Sequence, residues 1–396
     1  MAGFPAPCHG RLIGAERNGR GDSMACQMLE RVVVQGYKSF REVDFPLGRI
    51  NVLIGANGSG KSNFVQIFQM MNQMANKGFQ VYVYQAGGAD QLLYYGREVT
   101  KKMHMEFWFR VDDQRASGYA ATWFPTDVNA LVFEKEVCYF HDRAQHESPY
   151  PEVIVLSPHA ESFLPSLSRL NRVAFDVLKA MQSWQVYHFY GTSDSAKAKQ
   201  TGDLHNNFFL RPDASNLADH LFLLQETAPD AYRNIVETVR MAVPFFDDFV
   251  LRPSPLNPDK IQMEWRKQGS DTLFGPHDLS DGTLRFICLT TLFLQPPDRL
   301  PAIIILDEPE LGLHPYTITL LAEMVHSAAE HAQVILATQS VTLVNQFSPE
   351  EVVVVDRVDR ASVPRRLSSG EIAPWLDKYG LGDLWEKNLL GGRPAR

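Results

Sequence analysis

Cysteine is scarce: Cys8, Cys26, Cys138 and Cys288 are the four in 396 residues, with neither paired spacing nor a neighbouring histidine framework. That excludes a disulfide scaffold or structural zinc and fits reduced thiols in a cytoplasm. Long apolar runs are missing too. No stretch reaches the roughly 18 apolar residues that span a bilayer, and the N-terminus lacks the unbroken apolar segment of a signal peptide, so no membrane partner is expected for the chain itself. Excess positive charge is absent: 38 Lys and Arg stand against 46 Asp and Glu, a formal charge of −8 and a pI near 5.9. Such a surface does not coat nucleic acid indiscriminately, although a local basic patch is compatible with it. There is no internal repeat, no long low-complexity tract and no sustained heptad pattern, which excludes a long coiled coil. His277, His314, His326 and His331 contain no i,i+4 pair, so surface or packing roles are expected instead of a metal site. Residues 1–28 mix Gly, Pro, Arg and small polar residues without period and read as a disordered leader, or as sequence upstream of a start at Met24 or Met28.

What is present is concentrated in a few places. Gly55 to Ser62 reads Gly-Ala-Asn-Gly-Ser-Gly-Lys-Ser, between the apolar run Ile50 to Ile54 and a stretch where Phe64, Ile67, Phe68, Met71 and Met74 recur on one helical face. Strand, glycine loop and helix in that order make a phosphate-binding loop, because the glycines let successive N–H groups turn onto a β-phosphate and the helix adds its positive end. Gly55, Asn57, Gly58, Ser59 and Gly60 form the cradle, with Asn63 just beyond it. Lys61 is expected to reach the β- and γ-phosphates and Ser62 to hold Mg²⁺, so ATP and Mg²⁺ are the implied ligands. Farther on, Ile303-Ile304-Ile305-Leu306 delivers Asp307 and Glu308 at its carboxyl end. A run apolar at every position belongs in a sheet covered on both faces, whose ligands sit beyond the strand ends. Asp307 is expected to orient Mg²⁺ and Glu308 to polarise the attacking water.

These elements are split by a large insertion, and the expected fold class is α/β. Residues 29–156 would hold the first part of the head, with antiparallel strands at Val81 to Tyr84, Lys102 to Val111, Tyr119 to Phe124 and Ala130 to Phe140. Phe107, Trp108 and Phe109 are expected in the core of that sheet and not as a base-stacking platform. Residues 157–258 read as a compact helical lid or arm, with helices in Ser157 to Ser183 and Asn216 to Val243 bounded by Pro158, Pro212, Pro229 and Pro244. Residues 259–396 return to the head through strands at Ile261 to Trp265 and Val352 to Val355.

Leu279-Ser280-Asp281-Gly282-Thr283-Leu284-Arg285-Phe286 precedes the paired acids and is followed by an apolar segment through Leu294. Alone, Ser-Asp-Gly is a helix N-cap and turn. In this place it resembles the LSGGQ-like element of the ATP-binding-cassette ATPases. Glu310-Leu311-Gly312-Leu313-His314-Pro315 resembles the D-loop of those proteins, and Val334 to Ser340 their strand and switch. Adding Gly36-Tyr37-Lys38-Ser39-Phe40, Ala-Thr-Gln-Ser and the closing Leu384-Trp385-Glu386-Lys387-Asn388 to Gly391-Gly392-Arg393-Pro394, the chain is similar to the RecF, SMC and OLD branch, as a stand-alone bacterial ATPase. The resemblance implies an ABC-ATPase head: a P-loop NTPase with a mixed, largely parallel central sheet, a flanking antiparallel β-subdomain and the inserted lid. It also implies that Ser280 and Gly282 cap the γ-phosphate held by a second subunit, so that ATP joins a homodimer, and that Lys38 contacts nucleotide phosphates. Either Gln85 or Gln91 would serve as the metal-contacting glutamine of the Q-loop. Most relatives carry His where this chain has Gln339, and glutamine can hydrogen-bond but not carry a proton; slow turnover is the expectation. Residues 356–396 contain no Asp-x-Asp, so a Toprim nuclease domain is not expected and any effector would be a separate protein. The implied settings are DNA repair or anti-phage defence, with DNA as a further partner class. The alternative is a scaffold that binds ATP for assembly and hardly hydrolyses it; a transporter motor is disfavoured by the insertion.

Overall fold

Ile303 to Leu306 has no polar face to offer water, and in the computed structural model both of its faces are covered. The structure describes residues 28–189, 197–203, 207–254, 257–376 and 378–392; the leader expected over residues 1–28 lies outside them apart from Met28. The strands, in chain order, are β1 (Met28–Tyr37), β2 (Phe40–Pro46), β3 (Ile50–Ile54), β4 (Met103–Arg110), β5 (Arg115–Pro125), β6 (Leu131–Asp142), β7 (Tyr150–Val155), β8 (Gln185–Tyr187), β9 (Gly202–Asp203), β10 (Phe246–Ser254), β11 (Asn257–Lys267), β12 (Leu273–Phe274), β13 (Ile303–Asp307), β14 (Gln333–Ala337), β15 (Val352–Val358) and β16 (Ala361–Arg366). They build three sheets. The central one has the order β16-β15-β3-β14-β13-β8 and is parallel from β15 to β8, with β16 antiparallel at its edge. The second, β2-β1-β4-β5-β6-β7, is antiparallel throughout. A small third sheet joins β10, β11 and β12, with β9 beside β11.

Alternate residues of the central strands feed two different cores, as the pleat requires. Ile303 and Ile305 join Phe64, Phe68 and Met71 of the Lys61–Ala75 helix and the inner face of the antiparallel sheet. Ile304 and Leu306 join the other core, with the Asp281–Leu294 and Pro315–Ala328 helices. The phosphate-loop helix is thereby clamped between two sheets. Trp184 closes that layer, with ring centroids 5.2 Å from Phe68 and 5.3 Å from Phe107. Phe107 and Phe109 are fully buried there, while Trp108 lies on the other face against Tyr139.

Two expectations are corrected: Trp108, expected in the sheet core with Phe107 and Phe109, is half-buried on the opposite face, and one expected strand is a helix. Val81 to Tyr84 is not a strand but part of the helix Phe79–Gln85. Phe79 and Val83, four apart, are its buried positions, whereas Val81 and Tyr84 are exposed. Over four residues a period of two and a period of 3.6 cannot be told apart, and the deciding contact is remote: the Glu161 carboxylate accepts from the N–H groups of Phe79 and Gln80 at the helix start. Residues 157–258, expected as a helical lid, contain helices at Leu164–Leu167, Arg172–Ser183, Leu217–Thr227 and Pro229–Ala242, but also β8 of the central sheet and β9 and β10 of the third. Arg172–Ser183 packs on the phosphate-loop helix, and Pro229–Ala242 packs on Asp281–Leu294. Among the described residues, no helix is long and apolar enough to cross a membrane.

Candidate active site

The carboxyl ends of β3, β14 and β13 lie side by side, with Leu53 opposite Ala337 and Ala337 opposite Asp307. Whatever follows each strand therefore meets at one place. After β3 the chain turns through Gly55 and Gly60, both at positive φ (+153° and +116°). Side chains are barred there for a second reason: a Cβ on Gly55 would strike the Val355 carbonyl, and one on Gly60 would strike the Ser362 hydroxyl. Asn57 and Gly58 form the exposed tip, and Ser59 is buried, its N–H bonded to Ala56 O at 3.0 Å. Lys61 is 5% exposed and folds back over the loop, its Nζ donating to Gly55 O at 2.7 Å and Ala56 O at 3.2 Å. Burial lowers its pKa, against the opposing pull of the Glu308, Asp307 and Glu310 carboxylates.

Asp307 ends β13 with its carboxyl hydrogen-bonded to the Ser62 hydroxyl. Burial raises its pKa, more than the Ser62 hydrogen bond lowers it, and the Glu308 charge adds to the rise. Glu308 is held at φ +46° and donates its N–H to Ala337 O at 2.7 Å. Gln339, just past β14, donates its side-chain amide to Glu308 Oε1. Lys61, Ser62, Asp307, Glu308 and Gln339 are thus brought together. Three carboxylates, Asp307, Glu308 and Glu310, face the one ammonium of Lys61. Among the described residues no three acidic, His or Cys side chains gather as a metal site by themselves; Ser62 and Asp307, in contact, offer two hard oxygen donors of the kind Mg²⁺ takes alongside phosphate oxygens.

Lys38 sits at φ +46° in the turn between β1 and β2; its Nζ donates to Gln66 Oε1 and burial lowers its pKa. Gln66 is one helical turn beyond Ser62, and Asn63 Nδ2 donates to Ser39 Oγ at 2.9 Å, so this turn leans on the start of the phosphate-loop helix. Both Q-loop candidates are exposed. Gln91 belongs to the segment that meets the Lys38 turn, where Lys38 N–H donates to Leu92 O at 2.8 Å, while Gln85 ends the Phe79–Gln85 helix. Ser280 is the exposed N-cap of the Asp281–Leu294 helix, its hydroxyl accepting from Thr283 N–H at 3.2 Å. Gly282 allows the backbone of that helix to touch Gly312, since a Cβ would strike Gly312 O. The element resembling the signature is therefore braced on the D-loop segment of its own chain.

Several residues at the site were not legible beforehand. Glu310 is 7% exposed, accepts from Thr338 Oγ1 and Gln339 N–H, and has its pKa raised by burial; the sequence marked it only as the start of the string resembling the D-loop, with no sign of its contact with the switch. His188, just after β8, lies 2.6 Å from Gln69 Nε2 and feels the Asp307 charge. Buried Arg285 donates to Leu311 O and to Phe189 O. Behind the loop, Ser362 donates to Ser59 O, and Arg357 donates to Gly58 O at 3.1 Å. No local pattern marks His188, Ser362 or Arg357, because their partners are distant in sequence; Arg285 stands in the signature-like string, but its contacts could not be read from it.

Comparison with known proteins bears on the family and the fold. A family model described as "AAA domain, putative AbiEii toxin, Type IV TA system" matches residues 50–345. A curated protein of Methanosarcina acetivorans, named for the ATP-binding protein of an ABC transporter, is 34% identical over 79 residues, 20% of this chain and 27% of its own length. The match thus spans about a quarter of that relative. Among solved structures, an SMC head bound to the C-winged helix domain of ScpA superposes with a TM-score of 0.59 at 15% identity, covering 86% of this chain and 98% of that one. An SMC head with an extended coiled coil, bound to the C-terminal domain of ScpA from Pyrococcus furiosus, gives 0.51 at 15% identity, over 89% and 99%. At these identities the likeness is one of fold, and the shared fold is the ABC-type ATPase head.

Proposed function

From the premise that the chain belongs to this AAA-domain family of P-loop ATPases, we propose that it binds and hydrolyses ATP as a head-to-head dimer whose state controls a partner. The observation that carries the reading is the meeting of Lys61, Ser62, Asp307, Glu308 and Gln339 at three adjacent strand ends, with Ser280 exposed elsewhere on the head. The loop N–H groups and Lys61 bind the β- and γ-phosphates, Lys38 supports them from the side, and Ser62 and Asp307 hold Mg²⁺. When bound, the metal ion neutralises charge on the phosphate oxygens. Glu308 accepts a proton from the attacking water, and Gln339, already bonded to Glu308, orients it. Ser280 and Gly282 of a second copy complete the pocket over the γ-phosphate. Loss of that phosphate removes the shared contacts, so ATP and ADP favour different assemblies, and the inserted segment 157–258 passes the difference on. Membership of a family named for a toxin of a type IV toxin–antitoxin system supports an anti-phage setting, with a separate protein as effector.

A second reading is favoured by one contact. The Gln339 amide occupies the Glu308 carboxylate and, unlike a histidine, carries no proton to pass on; held there it keeps Glu308 from the water, which suits a scaffold that binds ATP without turning it over. Phosphate release from wild type and Glu308→Gln separates the two: the hydrolase reading expects a drop of about a hundredfold or more, the scaffold reading expects equal, near-background rates. Light scattering of Glu308→Gln with ATP then tests the assembly, which should double in mass.

A further inference from the structure

The last described residues of the chain return to the phosphate loop. β15 is the parallel neighbour of β3, with Val354 opposite Ile54, so Asp356 emerges beside Gly55. There Asp356 Oδ1 accepts from Gly392 N–H at 2.5 Å. Gly391 and Gly392 both adopt positive φ, +82° and +77°. A Cβ on Gly391 would lie 2.7 Å from Asp356 Oδ2, and one on Gly392 would lie 3.3 Å from Gly55 Cα and 3.2 Å from Trp385 Nε1. Two glycines in succession are what allow the turn to lie flat against the first residue of the loop. The turn is anchored from upstream as well: Leu390 is buried and its carbonyl accepts from Arg365 Nη2 at 3.0 Å, and Leu384 and Trp385 enter the core.

The other end of the same segment reaches the switch. The helix Leu381–Glu386 packs on the helix Val341–Val344, which begins two residues after Gln339. Gly382 N–H donates to Asn345 Oδ1 at 2.6 Å, and Gly382 lies against Val341 closely enough that a Cβ would strike its carbonyl. One continuous stretch, 381–392, thus touches both the helix behind Gln339 and the back of Gly55.

We propose that the Gly391–Gly392 turn, fixed by Asp356, is a positioning element for the phosphate loop, and that segment 381–392 links the loop to the switch. This rests on the nucleotide reading above. Gly55 O is one of the two carbonyls that receive the Lys61 ammonium, so a displaced Gly55 misplaces Lys61 and the first cradle N–H groups. Asp356 acts through Gly392 and does not touch nucleotide.

The test uses the full chain and three variants, Asp356→Ala, Asp356→Asn and Gly392→Ala, titrated with a fluorescent ATP analogue alongside thermal melts without nucleotide. Asp356→Ala frees the turn, so that nucleotide must order the loop, and should weaken ATP binding about five- to tenfold, a cost comparable to one hydrogen bond, with the melting temperature lowered by only about a few degrees. Asp356→Asn keeps the acceptor and should restore affinity to within about twofold. Gly392→Ala should weaken binding without touching Asp356, which keeps the test open if Asp356→Ala fails to fold. Asp356→Ala binding ATP like wild type, or Asn failing to rescue, overturns the inference while leaving nucleotide binding intact. A wild type that binds no ATP overturns the nucleotide reading and this one with it.

Discussion

Replacing Lys61 with alanine gives the sharpest test of the site, because the geometry says what is lost and what is not. Its Nζ makes two hydrogen bonds, to Gly55 O at 2.7 Å and Ala56 O at 3.2 Å. In the proposed complex both donors exchange neutral carbonyls for phosphate oxygens. A hydrogen bond to a charged group contributes about 1.5–3 kcal/mol, so removing two costs about 3–6 kcal/mol of ATP affinity, or about two to four orders of magnitude. Fold stability should respond far less. The variant leaves two carbonyls without this donor but no longer keeps an ammonium out of water, and these opposing effects should leave a net change under about 2 kcal/mol. The assay is a fluorescent ATP titration of wild type and Lys61→Ala, with melting curves of both. If the variant melts normally and binds ATP within about threefold of wild type, the loop does not cradle phosphate and the proposed chemistry falls.

Ser280→Arg should leave ATP binding to the monomer intact and prevent ATP-dependent dimerisation, at a capping cost of about 1 kcal/mol; light scattering that still shows a dimer would count against a site shared between subunits. Trp184→Ala should cost about 3–5 kcal/mol in denaturant unfolding, since Trp184 fills the layer that clamps the phosphate-loop helix against Phe68, Phe107 and Phe109. His159 supplies a pH dependence. Burial alone lowers its pKa, but its hydrogen bonds to Glu136 and to Ser157 O outweigh that, and the net shift is upward. A histidine whose pKa is raised on folding stabilises fully below its unfolded value near 6.5 and loses that contribution as pH rises through the folded value. Wild type should therefore lose stability relative to His159→Gln above about pH 6.5; parallel melting curves from pH 5.5 to 8.5 would refute it.

The sequence by itself determined the chemistry-bearing elements. Gly55 to Ser62 needs its glycines and lysine in consecutive order, and Ile303 to Glu308 needs its aliphatics and acids in consecutive order, so a local string carries each. The covered sheet followed from the same logic, because a strand apolar on both faces has no exposed side to offer. Tertiary structure decided which of these strings meet and what stands behind them. Val81 to Tyr84 became a helix through Glu161, far along the chain. Ser362 and Arg357 support the loop from a hairpin about 300 residues downstream, and His188 joins Asp307 only because β8 pairs with β13. In sequence Gly391-Gly392 stands only as part of the closing string that carries the family resemblance, and its contact with Gly55 exists because β15 runs parallel to β3. Such residues carry no pattern of their own, since a single hydrogen bond or close approach across distant chain segments imposes no periodicity on either one.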